Sequence, residues 1–381
     1  MPVVVLAGFL GSGKTTLLNH LLHHSGGSRI GAIVNDFGAI EIDAMAVAGA
    51  LGDSTVSLGN GCLCCAVDAG ELDQYLDRLT RPRAGIDVIV VEASGLAEPQ
   101  ELVRMVLASE NPRVVYGGLV EVVDAAEFDG TRARHPEIDR HLALADLVVV
   151  NKADRADDAE RVLATVRSLV DRAAVVPATY GRVDPEFLFD CRPGEERVGQ
   201  LSFDDLHLDE EDGGGGEDGS GGDRHTGHLH AGYDTLSFVS DVPLDPRRLM
   251  RFLDSRPDGL YRIKGYVGFG PYDPRNRYAV HAVGRFLRFY PEPWPAGGPR
   301  RTQLVLIGSG TDMPALAGEL QECEQDTPHA DEHGMWGVLR YVQGPGQEEA
   351  PAGAPGAAEA PEAPEAAEDP GDVADIEDPP V

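Results

Sequence analysis

Residues 2–24 read PVVVLAGFLGSGKTTLLNHLLHH. The opening PVVVLA is a β-branched apolar run, the middle is glycine-rich, and TTLLNHLLHH carries apolar residues at helical spacing, so the segment is expected to run strand, loop, helix. Within it, Gly8-Phe9-Leu10-Gly11-Ser12-Gly13-Lys14-Thr15 fits GxxxxGK[ST] in the context its chemistry needs. Glycines let backbone N–H groups curl around phosphate oxygens, and the helix N-terminus adds partial positive charge. Lys14 is expected to reach the β and γ phosphates of a nucleotide and the Thr15 hydroxyl to ligate Mg²⁺, with Gly8, Gly11, Ser12, Gly13 and Thr16 completing the cradle.

Strand signals recur at residues 29–35, 54–58, 86–91, 114–123 and 147–150, with amphipathic stretches at 70–79, 100–108 and 159–170. Continuous apolar strands alternating with helices imply an α/β fold: a three-layer sandwich of the P-loop NTPase kind, its sheet mostly parallel and covered on both faces. This domain is placed at 1–185. Residues 186–231 read as an acidic Gly/His-rich linker, 232–342 as a small α+β domain with two helical segments, and 343–381 as a disordered Ala/Pro/Glu tail. The apolar opening has no basic flank and no small-residue cleavage site, so it is read as a buried strand and not a leader. No run of 18 apolar residues suggests a membrane span.

The formal net charge is −32, and residues 204–223 and 343–381 hold nine and eleven acidic residues with no Lys or Arg. Without them the charge falls to −12. Such a surface excludes nucleic acid and anionic membrane as partners. Of 32 basic residues only Lys14, Lys152 and Lys264 are lysines. The last lies in RIKG, residues 262–265, and reads by itself as a solvated strand face.

Asn151-Lys152-Ala153-Asp154 follows the run LVVV, at the carboxyl edge where open α/β sheets bind ligands. The Asp154 carboxylate can accept from guanine N1–H and the 2-amino group, whereas adenine presents an acceptor there. Discrimination of this kind reaches about 10⁴ to 10⁵-fold. Between the two motifs, Asn35-Asp36-Phe37-Gly38 and Glu92-Ala93-Ser94-Gly95 each end a strand. A carboxylate at such a tip, Asp36 or Glu92, can hold Mg²⁺ directly or through water, and Gly95 would let the backbone approach the γ phosphate. For Asp43 and Glu98 the plainer reading is an acidic helix N-cap.

Residues 59–67 read GNGCLCCAV and concentrate Cys62, Cys64 and Cys65 in a chain of five cysteines. An odd, clustered set is no extracellular disulfide framework and points to reduced thiols in a cytoplasmic setting. The glycines favour a turn that gathers thiolates on one ion, and thiolates suit Zn²⁺ or Cu(I). A buried turn of small thiols or a redox pair are the alternatives. His225, His228 and His230, in DRHTGHLH, form a tract able to hold metal ions loosely, or are incidental to a polar linker.

Together GFLGSGKTT, NDFG, GCLCC, VIVVEASGLAEP and NKAD, with RIKG and VLIGSGTDMPALAGELQEC in the second domain, resemble the CobW-type metallochaperone GTPases. These are P-loop proteins related to the nickel-inserting GTPases of urease and hydrogenase maturation. The resemblance implies GTP hydrolysis, with Lys14, Asp36 and Glu92 as its catalytic groups. It implies coupling of that hydrolysis to delivery of a transition metal, Zn²⁺ or Co²⁺, to a client metalloprotein, with Cys62, Cys64 and Cys65 as ligands. It places the protein in the cytoplasm as a monomer or nucleotide-dependent homodimer. Family members typically read NEFGE where this chain has Asp36 and Ala39 at the two Glu positions, and Glu41 or Asp43 is the substitute ligand. Two other functions fit the same residues: a metal-buffering or sensing module with structural nucleotide, and a GTP-regulated activator of one metalloenzyme.

Overall fold

Valine-rich runs dominate the first half of the chain, and in the computed structural model they form one seven-stranded sheet. The structure describes residues 1–34, 55–57, 69–95, 97–190, 233–324, 331 and 333–342. All of these fall within a single unit, Met1–Gln343. The sheet strands are β1 (Pro2–Gly8), β2 (Ile30–Val34), β3 (Thr55–Ser57), β4 (Val88–Glu92), β5 (Val115–Asp124), β6 (Leu147–Asn151) and β7 (Ala174–Pro177). Their order is β3-β2-β4-β1-β5-β6-β7 and every pairing is parallel. Every residue of β2, β4 and β6 is buried, the signature of strands covered on both faces.

The crossover helices supply that cover. α1 (Lys14–His23) lays Leu17, Leu18 and Leu21 against Val4, Leu6, Val90 and Val122 on one face. On the other, α2 (Ala69–Leu79) and α3 (Pro99–Leu107) place Leu72, Leu76, Leu102 and Val106 over Val3, Val5, Ile89 and Val91. Each such side chain contributes roughly 1.5–3 kcal/mol relative to exposure. Further along, α4 (Phe128–Arg134), α5 (Glu137–Leu144) and α6 (Ala159–Leu169) close over β5 and β6 through Phe128, Ile138, Leu142, Leu163 and Val166. α4 and α5 carry no clear apolar period, since Pro136 interrupts a charged stretch, and the sequence pattern does not mark them.

A second, antiparallel sheet has the order β11-β10-β9-β12-β8, built from β8 (Asp234–Ser240), β9 (Leu260–Val267), β10 (Asn276–Val283), β11 (Phe286–Pro293) and β12 (Thr302–Gly308). After the one-turn α7 (Pro185–Leu188), the two helices expected in this domain, α8 (Pro246–Asp254) and α9 (Met313–Glu322), cover one face of the second sheet through Leu249, Leu253, Leu316 and Leu320. The strand β11 escapes the sequence pattern because its last residues, Pro291 and Pro293, argue against a strand; it is an edge, where proline is tolerated. Lys264 corrects its expectation. It is a half-buried residue of β9 whose Nζ donates to the Asp190 carboxylate, because the strand face it occupies turns toward the first domain.

The second sheet joins the first through its tip. Tyr261, Val283 and Ile307 belong to the same apolar cluster as Leu6 and Val120, and the Tyr261 ring stacks on Phe187 at 5.1 Å. His281 Nε2 meets the Tyr116 carbonyl at 2.9 Å. Gly118 makes the approach possible: at φ +111° a side chain is strained, and a Cβ there would lie 2.7 Å from Val283 and 2.9 Å from the Tyr261 hydroxyl. Gly118→Ala should therefore cost about 1–3 kcal/mol of unfolding free energy from backbone strain alone. A urea melt showing no loss would contradict this account of the junction.

Candidate functional site

β1 lies at the centre of the first sheet, between β4 and β5, so the loop after Gly8 emerges at the carboxyl edge flanked by Glu92 and Asp124. This is the crevice where open α/β sheets place ligands. Gly8, Gly11 and Gly13 all adopt positive φ, and at two of them no other residue fits. A Cβ on Gly8 would sit 2.3 Å from the Val122 carbonyl, and one on Gly13 would sit 2.3 Å from Asn151 Nδ2. Gly95 presses on the same loop from the other side, with only 2.8 Å for a Cβ before the Leu10 backbone. The expected freedom of approach at Gly95 is thus toward the loop itself.

Lys14 is buried and folds back along the loop, its Nζ donating to the Gly8 carbonyl at 2.9 Å and reaching Phe9 O at 3.4 Å. The Thr15 hydroxyl donates to Glu92 Oε1 at 2.7 Å, and Glu92 is buried at the tip of β4. Thr16 is exposed in the first turn of α1. Glu98 stands at the N-cap position of α3, but its side chain makes no capping bond; it pairs instead with Arg140 at 2.6 Å.

The second motif locks onto the first. Asn151 Nδ2 donates to the Ser12 carbonyl at 3.0 Å, while Asn151 Oδ1 accepts from Gly181 N–H at 2.8 Å. Lys152, at φ 57°, sends Nζ to the Gly11 carbonyl and to Asp124 Oδ2, both at 2.7 Å. Asp154 sits in a short 3₁₀ turn, Ala153–Arg155, with its carboxylate partly exposed and 3.9 Å from Arg155 Nε. The turn after β7 forms a third wall: Gly181 abuts the α1 backbone at Leu17, and Tyr180 stands exposed with Arg155 over its ring. Gly8, Gly11, Ser12, Gly13, Lys14, Thr15, Glu92, Gly95, Asn151 and Lys152 are brought together around one loop, while Asp154 borders it.

The family model described as CobW/HypB/UreG, nucleotide-binding domain, matches residues 2–177, and the one described as Cobalamin synthesis protein cobW C-terminal domain matches 233–324. A protein of Pseudomonas aeruginosa described as "Zinc chaperone CobW" is 33% identical over 370 residues, covering 84% of this chain and 91% of its own. The chain belongs to the CobW family. A Sinorhizobium protein with the same description is 30% identical, covering 81% of this chain and 92% of its own. A solved structure, "Crystal structure of Zn(II)-bound YjiA GTPase from E. coli", aligns with 85% of this chain and 99% of its own at 22% identity and a TM-score of 0.40.

In this CobW-family chain Asp36, Glu41, Cys62, Cys64, Cys65, His225, His228 and His230 lie outside the described residues. Among the described residues no group of His, Cys, Asp and Glu could hold a metal ion. Sequence reasoning missed Asp124, Gly181 and Glu121. The signal for Asp124 is its place at the end of a buried strand, as for Glu92. For Gly181 it is a turn after β7, a strand whose four residues fall below the pattern's reach.

Glu121 left a plainer signal, a charge inside the apolar run LVEVV. It is fully enclosed beneath the phosphate loop, and with Ser12, Phe9, Phe128 and Lys152 it lines a cavity of about 260 Å³. Neither Glu121 Oε2 nor Ser12 Oγ has a hydrogen-bond partner among the described residues. Burial pushes the Glu121 carboxyl up to about 8, against the opposing pull of Lys14. The folded state therefore keeps a proton that the unfolded chain gives up in the ordinary carboxylate range, and stability falls as pH rises through the interval between. Glu121→Gln removes that slope. The variant's unfolding free energy relative to the native chain should grow by up to roughly 1.4 kcal/mol per pH unit from about pH 4.5 to 8, and a flat difference in pH-dependent melts would refute it.

Proposed function

We propose that this chain hydrolyses GTP and couples the reaction to binding and release of a transition metal, zinc ahead of cobalt, which it delivers to a client metalloprotein in the cytoplasm. The observation that carries the reading is the Thr15 hydroxyl on the Glu92 carboxylate at 2.7 Å, at the mouth of a glycine loop held by Asn151 and Lys152. Two hard oxygen donors at that point suit Mg²⁺, which would supply charge neutralisation on the phosphate oxygens. Lys14 is held by loop carbonyls that a triphosphate would outbid, and its ammonium would turn from Gly8 O to the β and γ oxygens. Asp154 would accept from guanine N1–H and N2–H, while the Lys152 stem, fixed at both ends, would give the base a flat support.

The metal half of the proposal rests on the sequence and on relatives. Cys62, Cys64 and Cys65 fall between β3 and α2, on a connection that begins beyond β2 and returns to β4, whose last residue is Glu92. The Pseudomonas and Sinorhizobium relatives are described as zinc chaperones, and a Schizosaccharomyces pombe relative, 31% identical over 196 residues, as "Zinc-regulated GTPase metalloprotein activator 1". A nucleotide-dependent pull on Asp36 and Glu92 would draw the thiolates together. To carry occupancy from nearly empty to nearly full, the triphosphate must favour the loaded state by about 10⁴-fold.

Zinc affinity measured with a non-hydrolysable GTP analogue should exceed that with GDP, and alanine at all three cysteines should abolish both. Equal affinities in the two nucleotide states would sink the coupling. Lys14→Ala should lower the GTP turnover number at least about 10²-fold, since it removes a preorganised charge from the transferring phosphoryl group. A turnover assay on a variant with an unchanged melting curve checks it.

A further inference from the structure

The face of the second sheet turned away from α8 and α9 is concave and carries a cavity of about 630 Å³. Its floor combines two cations with an apolar strip: Arg262 and Lys264 on β9, beside Val305 on β12 and the exposed Val239 on the edge strand β8. Arg262 is 3% exposed, yet its Nε and Nη1 have no hydrogen-bond partner among the described residues. Among the described residues its ion pair is Nη2 to Asp190 Oδ1 at 3.2 Å. Lys264 donates to the same oxygen. A guanidinium buried with two donors unused is costly unless something else completes it.

Asp190 shows what completes it. Partial desolvation would raise this carboxyl, but the Arg262 charge and the Lys264 hydrogen bond outweigh it and hold the group below the usual carboxylate range. The Asp190 side chain is itself 63% exposed, so a carboxylate arriving from solvent can replace it without opening either sheet. We propose that Arg262 and Lys264 form a carboxylate-binding site for an acidic peptide segment of a partner protein, with Asp190 as the resident stand-in. A peptide is favoured because the cationic pair continues past Val305 on β12 to Val239 on the edge strand β8, where an extended chain can lie. The site shares no residue with the phosphate loop.

The test is fluorescence anisotropy of a labelled octaglutamate peptide titrated with the full-length chain. Lys264→Met should weaken binding about 10-fold or more, the value of one charge-assisted hydrogen bond, and Asp190→Ala should tighten it by a similar factor. Arg340→Met, which removes the same charge from an exposed position elsewhere, should leave the affinity unchanged. An Asp190→Ala chain that binds no tighter, or a Lys264→Met chain no weaker than Arg340→Met, overturns the site. Because Asp190→Ala predicts a gain, misfolding cannot imitate success. A chain lacking residues 204–223 separates the two sources of carboxylate. Unchanged affinity supports a partner's segment, whereas a tenfold gain shows that this chain's own acidic run fills the site and overturns the assignment.

Discussion

Asn151 holds the phosphate loop in place. Its amide touches both the Ser12 carbonyl and the Gly181 N–H, so a single planar side chain ties β6, the loop after β1 and the turn after β7 into one body. An amide suits this post because it offers a donor and an acceptor on opposite sides, where a carboxylate would face the Ser12 carbonyl with another acceptor. Gly13 is a glycine for the same reason, as the Asn151 amide occupies the space a Cβ would need. Lys152 repeats the clamp one residue on, reaching Gly11 from a backbone held at positive φ. The strain at Lys152 is sustained by the bonds at its far end.

The composition of the chain makes more sense beside these contacts. Each of the three lysines binds oxygen acceptors at close quarters: Lys14 on Gly8 and Phe9 carbonyls, Lys152 on Gly11 and Asp124, Lys264 on Asp190. A compact ammonium can serve two acceptors converging on one point, whereas a planar guanidinium needs them spread along its fork. Elsewhere on the surface arginine serves, as in the pairs Arg132–Asp139 and Arg161–Asp129.

Much of the first sheet was legible because period and chemistry agreed: PVVVLAG, VIVVE and LVVVN are buried throughout or nearly so, and each ends on a residue of the site. The phosphate loop, NKAD and Glu92 were legible for the same reason, each being a polar group at a strand tip. What stayed hidden depends on contacts distant in sequence. Nothing near Lys264 announces Asp190, 74 residues away, and nothing in the strand pattern LYRIKGYV says that Tyr261 leaves its own sheet for another core. The helices over β5 and β6 were hidden by composition, since Arg and Asp on both sides of Pro136 blur the apolar stripe.

The stacking of Tyr261 on Phe187 also bears on how the chain divides. Two separate family models match the sequence, over 2–177 and 233–324, yet the apolar cluster that fills the first sheet is completed by side chains from the second. Cutting between them would leave Phe187, Val120 and Val176 facing water on one piece and Tyr261, Val283 and Ile307 on the other. The boundary that inheritance draws is therefore not a boundary of cooperativity. The two sheets share one buried apolar cluster, so pulling them apart wets both.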